Sequence, residues 1–402
     1  MPTRNPRMWT YRMPAALMLL APFNILASLG MDIYLPVVPA MPGILGTSAA
    51  VVQLTLTVYM IMLGVGQIVF GPLSDRVGRR PVLIGGALVF AAASLLLSVT
   101  SSAPLFVALR LTQAVGASAV LVAVFATIRD VYAERPESAV VYSLMNAMLA
   151  FVPALGPIAG ALIAHAFGWR GIFVALALPA ILALLASLPA WHETRPIVEG
   201  PRKAAFRPIL KSPAFWTYTL GFSAAMGTFF VFFSTAPRVL IEGAGFSEIG
   251  FSLAFATAAL VMIATTRFAG RFVKGWGIPG SLARGMAMLM AGAVLLALGQ
   301  LWLEPSFWSF VLPMWLISIG IVFTTSVTAN GALGEFADVA GTAVALHFCV
   351  QSIIVGVAGT VFVVLLDGAT AWPLAGYAAT LATITLVALS WHRKRRTALR
   401  AA

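Results

Sequence analysis

Apolar stretches of about 20 residues, the length that carries an α-helix across the hydrocarbon core of a bilayer, recur along this chain from end to end. Short loops rich in Gly, Pro and charge separate them, and marking them gives spans near 13–38, 50–72, 82–101, 104–127, 138–164, 169–190, 213–237, 248–270, 281–303, 306–330, 339–366 and 370–391. Backbone polar groups inside lipid must be satisfied internally, which a helix achieves within itself. The expected fold is therefore an all-α membrane protein with twelve transmembrane helices. Composition excludes a soluble alternative: 60% of the 402 residues are hydrophobic and 9% charged, against about 25% charged in soluble domains, and the mean hydropathy is +0.97. Arg4, Arg7 and Arg12 precede the first run as they would in a signal peptide. That run is too long for a signal h-region and lacks a small-x-small cleavage site, so it reads as span 1.

The basic residues give the topology. With the N-terminus inside, the 25 Lys and Arg fall in the cytoplasmic segments except Arg170 and Arg238, on the opposite side, and Arg110, inside span 4. This is the bias expected of cytoplasmic loops, so both termini are expected in the cytoplasm and the net charge of +12 is no nucleic-acid footprint. The predominance of Arg over Lys, with the Ala, Gly and Leu richness, suits a high-GC bacterial source and hence a cell inner membrane. Cys349 is the only cysteine and the histidines at 165, 192, 347 and 392 form no ligand pair. No metal and no cofactor is expected.

The longest polar stretch, 191–212, carries five basic residues and Pro196, Pro201 and Pro208. It divides the chain into an N-terminal six-helix bundle (1–190), a cytoplasmic linker (191–212) and a C-terminal six-helix bundle (213–402). Two related halves with a binding site at the midplane between them is the pattern of secondary transporters; one undivided bundle with a long loop is the other reading. Residues 267–277, after span 8, stand where 75–80 stand after span 2.

Between spans 2 and 3 lies Gly71-Pro-Leu-Ser-Asp75-Arg76-Val-Gly78-Arg79-Arg80. Gly71 and Gly78 permit tight turns, and Asp75 can pair with a neighbouring Arg, so the cluster can latch cytoplasmic helix ends in one conformation and release them in another. The loop resembles the signature of the major facilitator superfamily. Leu109-Arg110-Leu111-Thr112-Gln113 is similar to the span-4 motif of its proton-coupled members, with Ala114 where Gly is usual, and Gly156-Pro157-Ile158-Ala159-Gly160 resembles the antiporter motif, departing from it at Val152 and Ala161. With Asp32-Ile33-Tyr34-Leu35-Pro36 in span 1, the chain resembles the twelve-span drug:proton antiporters of the bicyclomycin and chloramphenicol type, and most nearly the amphenicol (chloramphenicol and florfenicol) exporters. The resemblance implies a monomeric carrier in the two-bundle major facilitator fold. It further implies export of small, largely neutral aromatic drugs by alternating access, driven by the proton gradient. A nutrient symporter of the same fold and a membrane-embedded transferase are the other classes considered; no catalytic carboxylate or His set at one membrane face supports the second.

Two buried charges stand out independently of that resemblance, because a charge at the centre of a spanning helix costs about 2.5–3.5 kcal/mol on insertion scales and is usually functional. Asp32 lies six residues before Val38 and Arg110 six after Pro104, so both sit about 9 Å below the outer ends of their spans. Equal depth allows them to face one another, with Asp32 loading and unloading a proton and Arg110 holding its anionic form. An interfacial cap is the other reading of Asp32. Asn24, two turns deeper, occupies a position where the exporters it resembles carry Asp; it is read either as a neutral drug-binding amide or as a helix-packing amide. Tyr59 is a polar handle in span 2, near Gln53. Of the Phe229 to Phe233 cluster, one or two rings are expected against substrate and the others against lipid. Gln351, one turn after His347, is a further candidate contact, with packing or a bound water as the alternatives.

Overall fold

The computed structural model describes residues 13–132, 135, 137–195, 206–336 and 339–401. Arg4, Arg7, Arg12 and residues 196–205 of the linker lie outside the described residues. The first half comprises α1 (Met13–Asp32), α2 (Met41–Leu45), α3 (Ala49–Val77), α4 (Arg79–Val99), α5 (Ala103–Tyr132) and α6 (Ser138–Ala190). After the short α7 (Phe206–Leu210) come α8 (Pro213–Pro237), α9 (Glu248–Trp302), α10 (Leu312–Leu333), α11 (Ala340–Leu365) and α12 (Trp372–Ala401).

Among the described residues ten apolar helical stretches are long enough to cross a bilayer, and two of them are long enough for two crossings each. α6 has 53 residues, which as continuous helix would extend about 80 Å, far more than the roughly 30 Å hydrocarbon core. It is interrupted at Gly168 (φ 70°, ψ 172°), and the 55-residue α9 is interrupted at Gly277 (φ 67°, ψ 175°). Both conformations need positive φ, which glycine adopts without a Cβ clash. Ten stretches thus become twelve crossings, and the protein is a multi-pass membrane protein.

The chain forms two compact units, Met1–Arg202 and Lys203–Ala402, each with six crossings. Small residues bring helices together in the same way inside each unit, as expected where lipid supplies no hydrophobic drive to associate. In the first unit a Cβ on Gly116 of α5 would lie 2.6 Å from the Gly86 carbonyl oxygen of α4. In the second, a Cβ on Gly320 of α10 would lie 2.8 Å from the Gly285 carbonyl oxygen of α9. Three chain-reversing or contact positions repeat at one spacing: Gly78 and Gly277, Gly86 and Gly285, Gly168 and Asp367 are each 199 residues apart (277 − 78, 285 − 86, 367 − 168). All but the Gly86 and Gly285 pair have positive φ, including Asp367 at 56°. The repeat of halves is therefore plainer in backbone geometry than in residue identity.

Span 1 departs from the expected 13–38 helix. α1 stops at Asp32, a 3-10 turn follows over Leu35–Ala40, and the apolar stretch continues to Leu45. Pro36 has no N–H to return to the Asp32 carbonyl, so the α-helical ladder cannot pass this point.

Candidate functional site

Arg110, on α5, is wholly buried. Its Nη1 donates to the Gly30 carbonyl of α1 at 2.8 Å and to Gln113 Oε1 at 2.6 Å. Gln113 Nε2 in turn donates to Ser94 Oγ of α4 at 2.8 Å. The guanidinium lies between two aromatic faces, 4.7 Å from the Tyr59 ring centroid and 5.1 Å from that of Tyr34. A desolvated guanidinium needs such partners. Tyr59 is fixed in turn, its hydroxyl donating to the Ala27 carbonyl at 2.7 Å. The polar handle expected of Tyr59 thus joins α3 to α1 and helps seat Arg110.

Asp32 is buried two residues beyond Gly30, but it does not ion-pair with Arg110: among the described residues no salt bridge involves either. Arg110 grips the backbone of α1 instead, leaving its Nε and Nη2 without a partner. Gly156 of α6 packs against Asp32: a Cβ there would lie 2.8 Å from Asp32 Cβ. One turn on, a Cβ at Gly160 would collide with the Ile33 carbonyl oxygen. The Gly156-Pro157-x-x-Gly160 segment is therefore the seat for the end of α1 that carries Asp32. Gly160→Ala is expected to overpack this contact and cost about 1–3 kcal/mol, seen as a lower melting temperature. Gly85→Ala, whose Cβ would meet nothing within 4 Å, should leave it unchanged.

Asn24 is fully buried; its Nδ2 donates to the Met145 carbonyl of α6 at 3.1 Å, while Oδ1 has no partner. In the second unit, the phenylalanines of α8 differ from expectation: Phe230, Phe232 and Phe233 are buried and Phe229 is half-buried, so none is an open lipid face. Phe232 stacks on Phe255 of α9 at 5.0 Å and 7°, while Phe229 and Phe233 meet the same ring at 6.0 and 6.2 Å. Phe255 draws these rings together, and α9 was not a source of candidates in the sequence. Gln351 on α11 is buried, donating from Nε2 to Ser352 Oγ at 2.6 Å.

The charged loop at 71–80 becomes a clasp within the first unit. Gly78, with φ 112°, turns the chain from α3 into α4. Arg79 pairs with Asp75 at 2.6 Å and, through Nε, with Asp130 of α5 at 2.8 Å, while donating from Nη1 to Ser74 Oγ at 2.6 Å. Glu193, just past α6, accepts from the backbone N–H of Arg79 at 2.8 Å and of Arg80 at 3.1 Å. Arg80 Nη2 donates to the Leu188 carbonyl, and Arg195 Nη1 to the Arg76 carbonyl. Gly71 has open space around it. Asp130 and Glu193, neither singled out in the sequence, are the partners that extend the loop's reach to α5 and α6.

Two six-crossing units, a charged clasp after the second crossing and a buried Arg gripping span 1 define a secondary carrier. The sequence profile of the Major Facilitator Superfamily matches residues 20–360, and the chain belongs to that superfamily of transporters. It is 51% identical over 379 residues to a chloramphenicol resistance protein of Pseudomonas aeruginosa, covering 94% of this chain and 90% of that one. It is 31% identical to the multidrug resistance protein MdtL of Escherichia coli K12, over 78% of this chain and 79% of the relative. Among solved structures, a peptide transporter of the POT family in complex with sulfate shares the fold with a TM-score of 0.77 at 13% identity, over 95% of this chain and 96% of that one. A bacterial homologue of the lysosomal transporter Spinster does so with a TM-score of 0.72 at 15% identity, over 94% and 96%.

Proposed function

We propose that this protein is a proton-coupled drug exporter of the bacterial inner membrane, acting as a single chain with both termini in the cytoplasm. Its substrates are small, largely neutral aromatic antibiotics of the chloramphenicol and florfenicol type. The names of its relatives support the substrate class. The observation that carries the coupling is the buried Asp32, in no ion pair among the described residues, two positions beyond the Gly30 carbonyl that Arg110 holds together with Gln113, Tyr34 and Tyr59. A carboxyl group in that position can exchange a proton without dismantling its surroundings, as a coupling site requires. Asn24 contributes its unpartnered Oδ1 as an acceptor for a polar group of the drug. The clasp at Asp75, Arg79 and Asp130 steadies the helix ends on the cytoplasmic side while the carrier alternates between its two access states.

The test is transport by the reconstituted protein. Chloramphenicol should be moved against its gradient when a pH gradient is imposed, and a protonophore should stop it; movement indifferent to the pH gradient would contradict the proposal. Asn24→Leu should lower drug affinity about tenfold, the equivalent of one hydrogen bond. Unchanged affinity would leave Asn24 as the tie between α1 and α6 alone.

A further inference from the structure

Four threonines lie on α8, and three of them, Thr217, Thr228 and Thr235, donate to the carbonyl four residues earlier in their own helix. Thr219 does not. Its Oγ1 lies 2.9 Å from Nδ1 of His347 on α11, and His347 is wholly buried. With Nδ1 as donor both the hydroxyl proton and Nε2 would be left without a partner, whereas with Thr219 as donor only Nε2 is, so the arrangement with fewer unsatisfied buried groups has Thr219 donating and the imidazole proton on Nε2. That Nε2 has no partner. One turn along the same face of α11, Gln351 donates its amide to Ser352 and leaves Oε1 without a partner as well. A buried donor and a buried acceptor thus stand one turn apart, each costing about 1–3 kcal/mol while unsatisfied. Beside them the half-buried Phe222 ring lies 5.0 Å from the imidazole.

We propose that His347 and Gln351 form a hydrogen-bonding subsite in the second unit for a neutral hydroxyl or amide group attached near an aromatic ring. The ligand group accepts from His347 Nε2–H and donates to Gln351 Oε1, while the adjacent ring packs against Phe222. A hydroxyl or secondary amide has both functions; a carboxylate has no proton to give Gln351 and an ammonium has no lone pair for His347. Thr219 is a positioning residue, fixing the tautomer that makes Nε2 a donor. The inference rests on the drug-export reading, and it assigns to this unit the selection of neutral polar substrates.

Chloramphenicol, which carries hydroxyl and amide groups on an aromatic body, is the probe. Its affinity is measured by titration of the purified full-length protein, alongside melting temperature and gel filtration. Gln351→Met and His347→Leu should each weaken binding about tenfold, one hydrogen bond's worth, in protein that remains monodisperse. His347→Gln, which restores an N–H near the Nε2 position, should recover most of the loss. Parental affinity in His347→Leu or Gln351→Met would overturn the subsite, as would a His347→Gln variant as weak as His347→Leu, which is the result for packing or a bridging water. If His347→Leu does not fold, the Gln351→Met result decides. If the parent itself does not bind chloramphenicol, the export reading fails and the subsite with it; if the parent binds and the variants match it, only the subsite fails.

Discussion

Asp32→Asn is expected to abolish proton-driven drug export, a loss of at least about 100-fold, while leaving the protein folded and inserted. The amide has nearly the same shape but cannot exchange a proton. Because Asp32 is in no ion pair among the described residues, its neutralisation strands no opposite charge there, and Arg110 keeps its bonds to Gly30 and Gln113 and its contacts with the Tyr34 and Tyr59 rings. The stability change should therefore stay below about 1 kcal/mol. Drug exchange down its own gradient, which needs no net proton movement, should persist in the variant. The comparison of gradient-driven export with passive exchange in the same vesicles checks this; loss of both would assign Asp32 to the architecture instead of to coupling.

The second large effect is expected at the clasp after the second crossing, and it separates two carboxylates on one arginine. Arg79 is 2% exposed and Asp130 5%, whereas Asp75 is 56% exposed. Asp130→Ala removes the buried partner and leaves the buried Arg79 only the exposed Asp75, so it should destabilise the protein by about 3 kcal/mol, the low end of the cost of breaking a buried pair. Asp75→Asn removes a solvent-screened partner and should cost less than about 1 kcal/mol. Its effect is expected on turnover: the latch role of Asp75 predicts slower transport at nearly unchanged drug affinity. Unfolding of the two variants in detergent, read beside their binding curves, tests both halves of the statement. Equal destabilisation would mean that the clasp is carried by Glu193 and the backbone of Arg79 and Arg80.

Much of this was legible in the sequence because membranes impose simple rules. Apolar run length marked all twelve crossings. The breaks at Gly168 and Gly277 lie in the short gaps between marked spans. Span 1 was misjudged at its end because hydropathy measures apolarity and not backbone conformation; Pro36 ends the α-helix while the apolar stretch runs on to Leu45. Depth counting placed Asp32 and Arg110 at one height, but height does not say which acceptor a guanidinium takes. The Gly30 carbonyl on the same helix end is the one it holds. Tyr59 was found as a polar residue, though not its partner Ala27, because a hydrogen bond across 32 positions leaves no local pattern. Asp130 and Glu193 escaped for the same reason, being 51 and 114 residues from Arg79. A count of acidic residues at helix ends, beside the count of basic ones, would have found them.

The central claim is that drug binding and the protonation of Asp32 are linked. It is tested most directly by adding chloramphenicol to the purified protein in weakly buffered detergent solution and recording proton release. The parent should release protons in proportion to the drug bound, and Asp32→Asn should bind the drug and release none. Drug binding by the parent without proton release, or undiminished release from Asp32→Asn, would contradict the account.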